Sequence, residues 1–145
     1  MPVQKNYYDY LVERASKYKN ISFEEAVEVD KISGYINQFD IGLYILENSC
    51  FNHEYSLPNK LFEFIQARLC LAISPNIEMK NIVDKYQLGL VSEDFTARSM
   101  ANKIVSLTPD KIMYYKQQSH KFAYELSSDK TEKLILEEVN KLLVE

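Results

Sequence analysis

The stretch EYSLPNKLFEFIQARLCLAIS, residues 54–74, decides the fold class. It opens with a polar loop that runs into Pro58, and proline suits the first position of a helix because the helix needs no N–H there. About three turns of helix are predicted over residues 59–67. The apolar run 69–73 then predicts a short strand that is buried on both faces. Loop, helix and buried strand, in that order, form half of a βαβ unit.

The predicted helix has a buried face and an open face. Leu61 and Ile65 lie one turn apart and Phe62 sits beside Leu61, and together they predict the stripe that packs on the sheet. Asn59 and Glu63 are also one turn apart and share the other face. The helix N-terminus at Pro58 offers unpaired N–H groups and a partial positive charge, which together commonly bind a phosphate.

Length and composition indicate one globular domain. A chain of 145 residues can bury a sizeable core, and 46% hydrophobic with 26% charged residues is ordinary globular composition. The formal net charge is -4 and no basic stripe is present, which argues against nucleic acid or an anionic membrane as the partner. The sequence predicts neither a signal peptide nor a transmembrane segment.

The cysteines and histidines give no sign of a metal or cofactor site. Cys50 and Cys70 have neither metal-ligand spacing nor the pattern of a disulfide framework, so we interpret both as structural thiols in a reducing cytoplasm. His53 and His120 each lack a second ligand at a recognised spacing.

Hydrophobic periodicity alternates helices with short strands along the rest of the chain. Helices are predicted over residues 6–19, 30–38, 76–86, 94–105 and 109–126 and from residue 128 onward, and strands over 20–23, 41–46 and 88–91. Residues 24–29 either extend the first strand or form a turn, and residues 47–56 form a polar loop of a length that is often functional. The order predicts an α/β fold with a Rossmann-like, mainly parallel sheet flanked by helices, followed by C-terminal helices.

Three segments resemble the C-terminal, nucleotide-sugar-binding domain of bacterial glycosyltransferases with the GT-B fold, of the group 1 type. PNKLFEF at residues 58–64, followed by Ala67 and by LAIS at residues 71–74, is similar to the family's P-N-K-L-F-E-Y…A-G-x-P-V-I-A-S stretch. FDIGLY at residues 39–44 is similar to the strand before it, and YQLGLV at residues 86–91 to the strand after it. The resemblance covers residues 20–107 and implies the donor-binding portion of a retaining glycosyltransferase that builds surface polysaccharide.

The resemblance also implies a donor site. The glutamate of the family's K-L-F-E motif binds the ribose of the nucleotide sugar, and Glu63 occupies its position. Leu57, Pro58 and Asn59 would then hold the diphosphate at the helix N-terminus. Lys60 either reaches a phosphate or forms a surface ion pair with Glu63, which would leave both residues on an ordinary solvated face.

Two departures from the family pattern affect the implied site. The first glutamate of the family's E-x(7)-E pair falls at Tyr55, so the contact that normally faces the donor sugar is missing. Arg68 stands where the family has a helix-ending glycine, which predicts a weaker turn there. His53 either approaches a donor phosphate or is a solvated loop residue. The tyrosine clusters, residues 7–10 and 114–115, either stack on a sugar or base or pack on amphipathic helices.

We expect the chain to be an incomplete domain. Nothing in it resembles the family's N-terminal acceptor domain, the glycine-containing loop or the basic residue that grips the diphosphate, so the chain alone is expected to be inactive. In the family's strand order, strand 20–23 would be separated from strand 41–46 by two absent strands, and the open sheet edge predicts a homo-oligomer. The alternative function is a non-catalytic Rossmann-like interaction module degenerate from this family.

Overall fold

The structure, a computed structural model, describes residues 5–144 and the side chains of residues 7–143. The helices are α1 Lys5–Ala15, α2 Ile32–Ile36 (preceded by a 3-10 turn, Val29–Lys31), α3 Phe51–Glu54, α4 Asn59–Gln66, α5 Ile77–Tyr86, α6 Ala97–Val105, α7 Pro109–Phe122 and α8 Ser128–Val144. The strands are β1 Ile41–Tyr44, β2 Cys70–Ile73 and β3 Gly89–Val91.

The three strands form one parallel sheet in the order β1-β2-β3. Ile41 lies beside Cys70 in the first pair, and Leu71 lies beside Gly89 in the second. All four residues of β2 are fully buried, as the apolar run predicts for a central strand. The α/β class, the parallel pairing of β1 with β2 and the helix between them are therefore confirmed.

The core lies where α4, α5 and α7 pack against the sheet. Leu61 and Ile65 of α4 belong to the same buried cluster as Leu71 and Ile73 of β2, which confirms these two members of the predicted stripe. Phe62, the third, is only partly buried at the side of this cluster. At the other edge, a Cβ atom on Gly89 would lie 1.9 Å from the carbonyl oxygen of Leu71. Only glycine therefore allows β3 to approach β2 this closely.

The predicted strand over residues 20–23 is wrong, because residues 21–28 form an irregular segment without a ladder. Ile21 and Phe23 remain 50% and 42% exposed, and the Phe23 ring packs edge-on against Tyr8 of α1 with 5.5 Å between ring centroids. The apolar residues of this segment thus serve a small cluster with α1. Within the described residues β1 is an edge strand of the sheet.

Several predicted helix boundaries are also corrected. The first helix ends at Ala15, and the helix predicted over residues 30–38 is a 3-10 turn followed by five α-helical residues. The long polar loop contains the short helix α3. Pro58 has φ −73° and ψ 147°, so it is the extended N-cap residue and Asn59 is the first helical residue.

From residue type, Asp94 is the expected N-cap of α6, Thr108 that of α7 and Ser128-Asp129 that of α8, and two of these three caps lie at neighbouring residues instead. Thr96, rather than Asp94, caps α6, because its Oγ1 accepts a hydrogen bond of 3.1 Å from the Ser99 N–H. At the start of α8 the Lys130 N–H donates to Ser127 Oγ at 3.2 Å. The predicted cap of α7 is confirmed, since Thr108 Oγ1 accepts from the Lys111 N–H.

Helices α4 and α5 both end at a left-handed residue that is not glycine. Arg68 has φ 62° and Gln87 has φ 54°. Behind α4 the N–H of Leu69 donates to the carbonyl of Phe64, and the same pattern joins Leu88 to Val83 behind α5, so each end is a Schellman motif. The turn at Arg68 forms despite the missing glycine, because the guanidinium also donates to the carbonyls of Ile65 and Gln66.

Candidate functional site

Helix α4 is held at its C-terminal end by side-chain hydrogen bonds to the ends of two other helices. Asn37 Nδ2, just after α2, donates to the carbonyl of Ala67 at 2.7 Å. Gln66 Nε2 donates to the carbonyl of Ala123 at the end of α7, also at 2.7 Å. These bonds fix the helix that carries the predicted site residues, and they orient its polar face toward the segment that joins α7 to α8.

An open cleft of about 810 Å³ lies between this face of α4 and the first turns of α8. Its lining combines apolar side chains with polar and acidic ones. It is lined by Ser33, Asn59, Phe62, Glu63, Gln66, Glu125, Leu126, Ser127, Ser128, Asp129, Thr131, Glu132, Ile135 and Leu136. Asn59 and Glu63 thus share the cleft, as their one-turn spacing predicts.

The Glu63 carboxylate is free to bind a ligand. Among the described residues no hydrogen bond or ion pair engages it, and its side chain is partly exposed on the cleft wall. Lys60 is exposed, does not line the cleft and forms no ion pair with Glu63. The alternative in which these two side chains neutralise each other on a solvated face is therefore not the arrangement seen.

The N-terminus of α4 has no side-chain cap. Pro58 occupies the N-cap position and has no side-chain oxygen to accept from the first helical N–H groups, although its carbonyl accepts from the Leu61 N–H at 3.0 Å. By contrast, α6 and α7 are each capped by a threonine hydroxyl. Leu57 is 43% exposed and Pro58 is partly exposed, and neither lines the cleft. Of the residues predicted to hold an anion, only Asn59 therefore lines the cleft, and no side chain caps the N–H groups at the start of α4.

The electrostatics of the cleft were not predictable from the motif. Glu125, Asp129 and Glu132 join Glu63 around the rim, and neither lysine nor arginine is among the lining residues. These three carboxylates come from the α7–α8 region, and they line the same cleft as Glu63 because the start of α8 runs past α4. Four carboxylates favour hydroxyl donors or cations and disfavour a diphosphate inside the cleft.

His53 has a structural role. Its Nδ1 lies 2.9 Å from Ser49 Oγ and 3.0 Å from the Glu47 carbonyl oxygen, and its own carbonyl accepts from Asn76 Nδ2 at 2.7 Å. It does not line the cleft. His120 Nδ1 accepts from Arg68 Nε at 3.3 Å, likewise outside the cleft.

The tyrosine clusters and Tyr55 also lie outside the cleft. Tyr7, Tyr8 and Tyr10 are exposed along α1, while Tyr114 and Tyr115 stack edge-on with 5.6 Å between centroids. The ring of Tyr55, which replaces the family's first glutamate, packs on Phe51 at 4.6 Å between centroids.

Cys50 is exposed and Cys70 is buried, and neither forms a disulfide. Burial raises the pKa of the Cys70 thiol to about 11, although the nearby Lys116 charge acts in the opposite direction. In the described part of the chain no group of three His, Cys, Asp or Glu side chains is arranged to hold a metal ion. From residue 5 to residue 144, no helix combines the length and the apolar character that crossing a membrane requires.

Comparisons with protein-family models, with curated proteins and with solved structures found no match to this chain.

Proposed function

We propose that the chain is the donor-binding portion of a GT-B-fold glycosyltransferase and that Glu63 binds the ribose of a nucleotide sugar. One observation carries this proposal: an unpaired carboxylate lies one turn from an uncapped helix N-terminus, and both border the same open cleft. The parallel β1-α4-β2 arrangement supports it, since the resembled family places its ribose glutamate on the equivalent helix.

In this proposal the parts of the donor divide between the cleft and its mouth. Both ribose hydroxyls donate to Glu63, and the apolar floor at Phe62 and Leu126 packs against the base. The diphosphate lies outside the acidic rim, where the N–H groups at the start of α4 and the Lys60 ammonium attract it. Few positive groups stabilise a departing diphosphate, so we expect binding without sugar transfer by this chain alone.

The test is a titration of the isotope-labelled chain with UDP-glucose and, separately, with GDP-mannose, in which the backbone amide chemical shifts are monitored by NMR. We expect shifts centred on α4 and its N-terminus for at least one donor. A charge-assisted hydrogen bond contributes about 1.5–3 kcal/mol, so Glu63→Ala should weaken binding by roughly ten- to a hundredfold.

The matched control is Glu13→Ala, which removes an exposed helical glutamate that does not line the cleft. It should leave the affinity unchanged. Equal affinities of the wild type and Glu63→Ala would contradict the ribose role, and the absence of any shift with either donor would contradict the nucleotide-sugar function.

A second candidate function, a non-catalytic interaction module, is favoured by the outer part of α8. Every residue from 131 to 143 is exposed, although the segment carries several large aliphatic side chains, among them Ile135 at 58%, Leu142 at 74% and Leu143 at 78% exposure. An amphipathic helix gains most of its stability from packing its apolar face, so this face is suited to a protein partner.

A further inference from the structure

A second open groove lies at the other end of the chain, between α1 and the irregular segment that follows it. Its volume is about 470 Å³, and it is lined by Leu11, Arg14, Ala15, Lys17, Tyr18, Ile21 and Phe23. Most of these residues are apolar or aromatic, and the two charged residues are both basic. Tyr18 and Ile21 are at least half exposed, so part of the apolar surface of the groove is open to solvent.

The α4–α8 cleft has the opposite charge and a similar floor. Its charged lining residues are all acidic, and Phe62, Leu126, Ile135 and Leu136 supply apolar surface. On α8, Asp129 and Glu132 line the cleft with these apolar residues, whereas Lys130 and Lys133 do not. Lys133 instead donates to the hydroxyl of Tyr124 at 3.1 Å. The acidic side of α8 is therefore also its apolar side within the cleft.

We propose that the occupant of the cleft is the α1 segment of a second copy of this chain. The groove of each copy would meet the cleft of the other, so that two equivalent contacts close a two-fold dimer. In each contact a mainly apolar lining with two basic residues meets a lining that combines apolar residues with four acidic ones, so hydrophobic burial and opposite charge both favour the pairing. This goes beyond the proposed nucleotide site, and the docked helix and a nucleotide sugar would exclude each other from Glu63. The donor titration is therefore repeated on the Arg14→Glu, Lys17→Glu variant, which keeps Glu63 and should leave the cleft open.

The test is sedimentation velocity on the full chain and on two double charge-reversal variants. The wild type should be a dimer at micromolar concentration and should dissociate as the salt concentration is raised to 1 M, because salt screens exposed charges. Arg14→Glu with Lys17→Glu makes the groove acidic, and Glu63→Lys with Glu132→Lys replaces two of the four acidic residues of the cleft with basic ones. Each double variant alone should raise the dimer dissociation constant at least tenfold.

An equimolar mixture of the two double variants tests directly whether the groove of one copy binds the cleft of the other. In the mixed pair an acidic groove meets a basic cleft and a basic groove meets an acidic cleft, so both contacts are restored. We expect the mixture to form the dimer that neither variant forms alone. A mixture that stays monomeric would overturn the proposal, as would a wild type that stays monomeric at 100 µM, the order of concentration at which weak interfaces are still detected.

The control for the charge reversals is Lys111→Glu with Lys121→Glu, two exposed lysines of α7 that line neither surface. It changes the net charge as the groove variant does and should leave the dimer intact. Dissociation of this control to the same extent would overturn the proposed contact, since net charge alone would then explain the effect. Circular dichroism of each variant verifies that the fold is retained.

Discussion

Ser74 Oγ donates a hydrogen bond of 2.6 Å to Asn76 Oδ1, and both side chains are fully buried at the carboxyl end of β2. The same hydroxyl oxygen accepts from the Leu46 N–H at 2.9 Å, and Asn76 Nδ2 donates to the carbonyl of His53. Two side chains thus join the ends of β1 and β2 to helix α3.

We therefore expect Asn76→Ala to destabilise the protein by about 2 kcal/mol, because it removes two hydrogen bonds, one from the buried Ser74 hydroxyl and one to the His53 carbonyl, and each contributes about 1 kcal/mol. The measurement is urea unfolding followed by circular dichroism. The control is Asn140→Ala on the exposed part of α8, which should change the free energy of unfolding by less than about 0.5 kcal/mol. Equal effects of the two substitutions would show that the network contributes little.

The two left-handed helix ends should respond differently to glycine. A left-handed conformation costs a non-glycine residue about 1–2 kcal/mol, and glycine adds about 0.5–1 kcal/mol of chain entropy cost. Gln87→Gly relieves this cost and loses only one exposed side-chain bond, which the Tyr114 hydroxyl donates to Gln87 Oε1. It should therefore stabilise the protein by about 0.5 kcal/mol.

Arg68→Gly should change stability little, because glycine also removes the guanidinium bonds to the Ile65 and Gln66 carbonyls. Differential scanning calorimetry of both variants compares the two helix ends directly. Equal gains from both substitutions would mean that the guanidinium bonds do not stabilise the end of α4.

The two thiols should differ sharply in reactivity. Cys50 is exposed, whereas Cys70 is fully buried with a pKa of about 11, so at pH 8 only about one Cys70 in a thousand would be thiolate. One equivalent of thiol should react with Ellman's reagent in the native protein and two in guanidinium. Cys50→Ser should abolish the native reaction, and rapid modification of that variant would contradict the burial of Cys70.

Acid should remove a contribution of Asp94 to stability. Its carboxylate accepts from Oγ1 and N of Thr96, at 2.6 and 2.8 Å, and these bonds lower the pKa of Asp94. Because the folded pKa lies below the unfolded one, near 3.9, the stabilisation is present above that value and is lost as the pH falls through the folded pKa.

The urea midpoints of the wild type and Asp94→Asn should therefore differ at pH 6 and converge near pH 2. Asp9→Asn, an exposed change on α1, serves as the control and should show no such convergence. A gap between the wild type and Asp94→Asn that is unchanged across this range would contradict the prediction.

The parts of the fold that depend on local patterns could be predicted from sequence. The stripe of Leu61 and Ile65 and the apolar run of β2 each predict which surface is buried, and these residues are buried in the structure. The caps were less certain because Asp94 and Thr96 both favour the N-cap position and lie only two residues apart. Residues 20–23 have the composition of a strand, but a strand also needs a partner, which no local pattern supplies.

The candidate site was predictable only on the α4 side. Glu63 and Asn59 share a face because of helical spacing alone, and the cleft keeps them together. The opposite wall depends on where α8 packs, which is a long-range property. The sequence therefore gave no signal that Asp129 and Glu132 would surround Glu63 with negative charge.

The position of β2 also bears on how the protein unfolds. Strands β1 and β3 do not pair with each other, and within the sheet each is hydrogen-bonded only to β2. A sheet of this kind has no smaller paired unit to retain once its middle strand separates, so its strands should come apart in one cooperative step. The amides of Leu71 and Ile73 would then exchange with solvent only when the whole domain opens, and their exchange rate would report its global stability.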